Sequence, residues 1–137
     1  MTTDQAAAAA TRNVTAVRSA YAAFAAGDLP VVLGLLDPDV EWIEAAGSPY
    51  PGTFRGPEAV VEGVFSRIGD DWSEFRVEPE EYIGSGNVVA ALGTYRGTSR
   101  ATGRCMQARF VHVWHFRGGR AGRFEQVADT AMLNAAL

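Results

Sequence analysis

Two residues have the chemistry and the spacing for proton transfer. Glu44 follows Val40 and Trp42 at alternate positions of one short run. Residues two apart on a strand share a face, so a pocket wall that takes Val40 and Trp42 takes Glu44 as well. Desolvation against tryptophan and apolar neighbours raises a carboxyl pKa, which suits a base working near neutral pH. The other reading of the run leaves Glu44 at the exposed end of an edge strand, with Glu41 turned inward. His112 alternates with Phe110, Trp114 and Phe116 on a strongly apolar face that should form a concave wall. A neutral imidazole there could aim its one N–H at a carbonyl oxygen. It could equally be a core histidine bonded to a backbone carbonyl, and the sequence leaves both open.

The neighbours of these two residues set the expected pocket. Tyr21 lies on a stripe with Val14, Val17 and Phe24 and reads as core packing within reach of the pocket. Gln126 shares parity with Phe124 and Ala128 and would offer a neutral hydrogen-bonding group. The expected lining is therefore Tyr21, Trp42, Phe110, Trp114, Phe124 and Gln126. Asp129 has the opposite parity to Gln126 and, by position, reads as the cap of a helix starting at Thr130. His112 and His115 are three apart on a strand, point to opposite faces, and cannot share a metal ion. No metal or cofactor is expected. Gly118-Gly119-Arg120 is a hairpin turn, too short for a phosphate loop. Arg96, Arg100, Arg104 and Arg109 cluster around one hairpin and read as a solvated face.

The elements that hold these residues follow from periodicity. Residues 1–10 show no hydrophobic period and read as a disordered lead-in, with one domain over 11–137. Val14 to Phe24 forms a helical stripe, closed at Gly27. Leu29, Val32, Leu33 and Leu36 form a second, with Pro30 tolerated in its first turn and Asp28 available as a cap. Val40 to Glu44 is a strand, and the Gly- and Pro-rich residues 45–52 are a loop. A third helix starts at Gly56-Pro57, with Val61, Val64, Phe65 and Ile68 inward. Phe75, Val77 and Ile83 share a parity interrupted at Pro79, which marks a bulge or an edge. Turns at 84–87, 99–103 and 118–119 divide the rest into strands. The order α-α-β-α-β-β-β-β predicts an α+β domain, with helices on one face of a curved antiparallel sheet.

Composition bounds the remaining possibilities. The chain has 137 residues, 47% hydrophobic and 20% charged, with a net charge of -4. That is ordinary for a globular domain, and the acidic balance argues against a nucleic-acid partner. No apolar run approaches the roughly 20 residues of a membrane span. The residues before Ala6–Ala10 carry no basic region, so no signal peptide is expected. A single cysteine, Cys105, excludes an intrachain disulfide and fits a cytoplasmic location.

Five segments carry a resemblance that extends from about Val14 to Asp129. They are Tyr21 to Asp28 at the helix junction, Leu35 to Trp42, Gly52 to Val60, and His112 to Arg120 ahead of Phe124 to Asp129. In this order they resemble the NTF2-like superfamily, and within it the SnoaL-like and ketosteroid-isomerase-related proteins. The resemblance implies a cone, a curved sheet wrapped by three helices around one apolar pocket. It also implies a homodimer formed through the sheet. Counted from Gly27-Asp28, Glu44 falls where ketosteroid isomerase carries its aspartate base; placed by the turn at Gly118-Gly119, His112 falls near that enzyme's oxyanion-hole acid. That enzyme's tyrosine matches Ala20, one residue from Tyr21. SnoaL-type cyclases carry an acid/base aspartate where this chain has Asp129. The superfamily hosts isomerases, cyclases, hydrolases and proteins without chemistry, so the fold alone does not choose among them. The reading that follows is a small, mostly apolar carbonyl ligand with acid/base chemistry of isomerase or polyketide-cyclase type. A ligand-binding or interaction domain without catalysis is the alternative.

Overall fold

A computed structural model describes residues 1–137. Helix α1 spans Thr3–Ala25, so residues 3–10 are helical and do not form the disordered lead-in that their weak periodicity suggests. The cause is local. Ala6–Ala10 have the highest intrinsic helix propensity, and Thr2 and Gln5 form a reciprocal capping box at the start. Ala9 is buried. The helix closes in a Schellman motif. Gly27, at φ 74°, donates its N–H to Phe24 O, and Asp28 donates to Ala23 O.

Helix α2 spans Leu29–Leu35, and the Asp28 side chain makes no capping bond to it. Strand β1 (Leu36–Glu44) is followed by the expected loop and then by a short edge strand, β2 (Gly52–Arg55), which the sequence pattern did not reveal. Its four residues are too few to show alternation. The third helix comes in three parts, α3 (Pro57–Val60), a π turn over Val61–Phe65, and α4 (Ser66–Asp71). Its buried pair is Val60 and Val64, with Phe65 and Ile68 packed beside them and Val61 only half-buried.

Four strands follow, β3 (Trp72–Ser85), β4 (Val88–Ser99), β5 (Cys105–Arg117) and β6 (Arg120–Ala128), then helix α5 (Thr130–Ala136). The sheet order is β2-β1-β6-β5-β4-β3. All neighbours are antiparallel except β1 and β6, which run parallel. The sheet is thus mixed where an antiparallel one was expected. The helices between β1 and the meander let the last strand return beside the first in the same direction, a pairing that no local pattern encodes.

The expected irregularity at Pro79 is a register shift between Pro79 and Glu81 on the edge strand β3. It reverses the inward parity. Phe75 and Val77 face the core before the shift and Tyr82 after it, leaving Ile83 53% exposed. Ile83 therefore does not share their face. Gly93 sits opposite Pro79, and a Cβ there would lie 2.2 Å from Glu78 O and 2.7 Å from the Phe110 ring. No helix is long and apolar enough to cross a membrane.

The close approach at Gly93 generates the first prediction. Gly93→Ala must push β3 or the Phe110 ring aside, and should destabilise the fold by about 1–3 kcal/mol, read from urea unfolding midpoints. An unchanged midpoint would show that the bulge relaxes freely.

Candidate functional site

The inner face of the sheet and the helices enclose a cavity lined by 21 residues, 16 of them hydrophobic. Strand β1 contributes Trp42 and Glu44, β6 contributes Phe124 and Gln126, and β5 contributes His112 and Trp114. Residues Ala20, Tyr21 and Phe24 of α1 form the opposite wall. The π turn brings the adjacent residues Val64 and Phe65 both to the lining. The Trp42 ring stacks on Phe124 at 3.7 Å and meets Trp114 edge-on at 5.9 Å. Cross-strand pairing of Trp42 with Phe124 and of Trp114 with Phe124 puts these rings in one layer.

Of the expected lining residues, Tyr21, Trp42, Trp114, Phe124 and Gln126 are in place. Phe110 is not. It lies behind the wall in a second apolar cluster, stacked on Tyr95 at 4.5 Å and on His112 at 4.1 Å. The sheet curves away along β5, so a shared parity does not give a shared cavity. Asp129 is also outside. It is exposed, and its carboxylate accepts the Met132 N–H as the cap of α5. An acid/base role in this cavity is therefore corrected to helix capping.

Glu44 faces inward and is only 6% exposed. No protein group donates a hydrogen bond to it, and its Oε2 is buried without a partner. Desolvation pushes its pKa up to about 8. The Trp42 indole N–H is near enough to oppose that rise, yet makes no full hydrogen bond to the carboxyl and is itself unpartnered. His112 is 4% exposed, and burial pushes its pKa down to about 3, so the ring is neutral.

His112 bonds no backbone carbonyl, and neither ring nitrogen faces the cavity free. Nδ1 lies 2.7 Å from the Tyr21 hydroxyl, and Nε2 bonds the Tyr95 hydroxyl. Trp114 Nε1 donates to Tyr21 at 3.1 Å, and Gln126 Nε2 donates to Tyr95 at 3.0 Å. Tyr21 is thus more than core packing. Its hydroxyl joins the polar chain, and burial raises its pKa.

Three functional positions escaped the sequence reading. Tyr95 is inward on β4, two residues from Gly93 and Gly97, and that spacing of one large ring among small residues was a usable signal. Tyr50 comes from the loop after β1. Its hydroxyl donates to Asp71 Oδ2 at 2.8 Å and accepts from Trp72 Nε1 at 3.1 Å. Ser48 also lines the cavity from this loop, and its Oγ accepts the Tyr50 N–H. Nothing in the loop's Gly- and Pro-rich composition marks these roles. No group of three or more His, Cys, Asp or Glu residues is arranged to hold a metal ion.

The family model for the SnoaL-like domain matches residues 17–124. An NTF2-like protein of Burkholderia pseudomallei is 41% identical, with 91% of this chain and 96% of that chain aligned at a TM-score of 0.85. An NTF2-like protein of Burkholderia thailandensis is 34% identical, over 89% and 94% of the two chains, at 0.86. TerC, co-crystallised with polyporic acid, is 30% identical, over 91% and 97%, at 0.84. No curated protein matches the chain significantly.

The opposed shifts of Glu44 and His112 predict a pH dependence of stability. Folded Glu44 holds its proton from about pH 4.5 to about 8, where unfolded Glu44 has lost it. Its contribution is complete below 4.5 and is lost as pH rises to about 8. Folded His112 stays neutral between about 3 and 6.5, where the unfolded ring is charged, so its contribution rises over that window. The two offset between 4.5 and 6.5. From pH 6.5 to 8 Glu44 acts alone, and wild type should lose about 1–2 kcal/mol relative to Glu44→Gln. Urea melts of both proteins across that range provide the check, and parallel pH curves would refute the buried-carboxyl assignment.

Proposed function

Because the chain belongs to the SnoaL-like domain family of the NTF2-like superfamily, we propose that its cavity binds a small, mostly apolar carbonyl compound and that Glu44 moves a proton on the carbon beside the carbonyl. The observation that carries this reading is the Glu44 carboxyl, buried at one end of an apolar cavity with no hydrogen-bond donor from the protein. A purely structural carboxyl would be expected to have such a donor. A proton acceptor for a C–H bond needs the reverse, an open lone pair and a pKa near the working pH. The relative crystallised with polyporic acid supports a small organic ligand for this cavity.

The proposed step conserves atoms and charge. Glu44 carboxylate takes the α-proton, and the C–H electron pair moves into the carbonyl to give an enolate. Return of the proton to a different carbon is isomerisation. Attack of the enolate carbon on a second carbonyl of the same ligand is an aldol-type ring closure, and Glu44 then supplies the proton for the new alkoxide. His112 was expected to hold the enolate oxygen directly. With both nitrogens engaged by phenols, it acts instead through them.

The outer face of the sheet supports a homodimer. Val111 and Val113 are only half-buried there and Val127 is 56% exposed. Glu125 stands opposite Val113 on this face and pairs with Arg123, and Arg109 at the end of the strip pairs with Glu80. A second copy would cover the valines, with Glu125 held by its ion pair to Arg123.

Two experiments test these readings. β-Tetralone incubated with the protein in deuterated buffer should exchange its α-protons faster than in buffer alone. The rate should rise with pH to a plateau above about pH 8, and Glu44→Gln should lose roughly 100-fold or more of it. Binding of β-tetralone without any accelerated exchange would make this a binding module. Sedimentation should show a species near twice the 14.6 kDa chain mass, and a clean monomer at micromolar concentration would contradict the dimer.

A further inference from the structure

The polar groups of the cavity form one continuous chain, and its hydrogens can be counted. At one end the Trp114 indole N–H donates to the Tyr21 oxygen. At the other the Gln126 amide N–H donates to the Tyr95 oxygen. The orientation of that amide is fixed, because Gln126 Oε1 accepts the Ala45 backbone N–H at 3.2 Å. Between the two phenols lies His112, with Nδ1 on Tyr21 and Nε2 on Tyr95.

A neutral imidazole has one N–H and one bare nitrogen. It therefore donates to one phenol and accepts from the other. The phenol that donates to the ring has its hydrogen committed. The phenol that receives the ring N–H already receives a second hydrogen from Trp114 or Gln126, and keeps its own. One phenolic hydrogen is thus left over in either tautomer. With Nδ1 bare, Tyr21 donates to the ring and Tyr95 keeps its hydrogen. With Nε2 bare, the roles exchange. Neither hydroxyl has another acceptor in the protein. Both tyrosines are buried and both line the cavity. A buried O–H without an acceptor is unfavourable, so the cavity contents must supply one.

We propose that this surplus phenolic hydrogen is the donor to the ligand's carbonyl oxygen, that Tyr95 carries it in the resting protein, and that His112 is the positioning residue whose tautomer assigns it. The inference deepens the proposed function and rests on it for the identity of the ligand, though not for the count of hydrogens. Tyr95 is favoured over Tyr21 because of Glu44. Gln126, which holds Tyr95, is itself held by the residue after Glu44. Base and donor thus face one region of the cavity, as a carbonyl oxygen and its neighbouring carbon require. The ligand selected is one that presents an acceptor oxygen on an apolar body.

Nitrogen NMR of the free wild-type protein reads the His112 tautomer directly, with no ligand. The expected spectrum shows Nε2 protonated and Nδ1 bare. A protonated Nδ1 with a bare Nε2 commits the Tyr95 hydrogen to the ring and overturns the assignment, whatever the protein catalyses. The second arm uses Tyr95→Phe, with its fold checked by circular dichroism. Its affinity for β-tetralone should fall by about 10-fold, while affinity for tetralin, the same body without the oxygen, stays within about 2-fold. Its α-proton exchange should fall by about 100-fold or more. Tyr21→Phe leaves Tyr95 its donor and should lose less than about 10-fold in exchange. Equal loss of both compounds in Tyr95→Phe would reduce Tyr95 to packing and refute the donor role. Selective loss of β-tetralone affinity in a protein that never exchanges the α-proton would keep the donor and reject only the base.

Discussion

The imidazole of His112 held between two phenols is the constraint on which the site depends. Tyr21 comes from α1, His112 from β5 and Tyr95 from β4. Gln126 extends the same chain to β6 and, through Ala45, to the end of β1. One run of hydrogen bonds therefore ties the helix wall to four strands across an otherwise apolar interior. A buried polar network of this kind is favourable only when its members are satisfied, and each removed link leaves a group without a partner. The aromatic layer around it fixes the geometry. Phe110 stacks behind both His112 and Tyr95, and Trp114 meets Tyr21 edge-on. Phe110, absent from the cavity wall, sets the planes of the rings that form it.

One part of the cavity wall is built from the least regular parts of the chain. The loop after β1 places Ser48, Pro49 and Tyr50 on the lining. Tyr50 is anchored by Asp71 at the end of α4 and Trp72 at the start of β3. Asn134 of α5 donates to Gly47 O at 2.7 Å, and Leu133 of the same helix reaches the cavity. Asp129 matters here through its cap, because a helix as short as α5 gains much of its order from its ends and its packing. Its effect on the site is to hold the helix that holds the loop.

Parity made much of the site legible in the sequence. Alternation put Trp42 and Glu44 on one face of their strand, without choosing which face is inward, and His112 and Trp114 on one face of another, and the structure brings those four to one cavity. Parity failed where the backbone departs from a regular strand. The shift after Pro79 turned Tyr82 inward and Ile83 outward. Curvature removed Phe110 from the cavity its parity implied. Pairing across sequence distance was invisible throughout, both in the parallel β1–β6 contact and in the meeting of Tyr21, His112 and Tyr95, residues 91 and 17 positions apart. The alanine run at 6–10 misled for a different reason. Helix propensity without large side chains leaves no hydrophobic period to read.

Burial moves the two titrating groups of the cavity in opposite directions, and the outcome is a site with no formal charge at neutral pH. Glu44 keeps its proton below about 8, and His112 takes none above about 3. A neutral ligand enters without facing a buried ion. In the proposed reaction the active form is the minor carboxylate, a charge that only the nearby Trp42 indole N–H eases. When that carboxylate takes a proton from carbon, it returns to the neutral form its surroundings favour. The negative charge moves to the ligand oxygen, which the surplus phenolic hydrogen faces. The charge thus leaves a position without donors for one with a donor, and the desolvation that makes Glu44 a scarce base also makes proton transfer to it favourable. A site with a lower Glu44 pKa would hold more carboxylate but would gain less from each transfer. A value near 8 balances the two within about one unit of neutral pH.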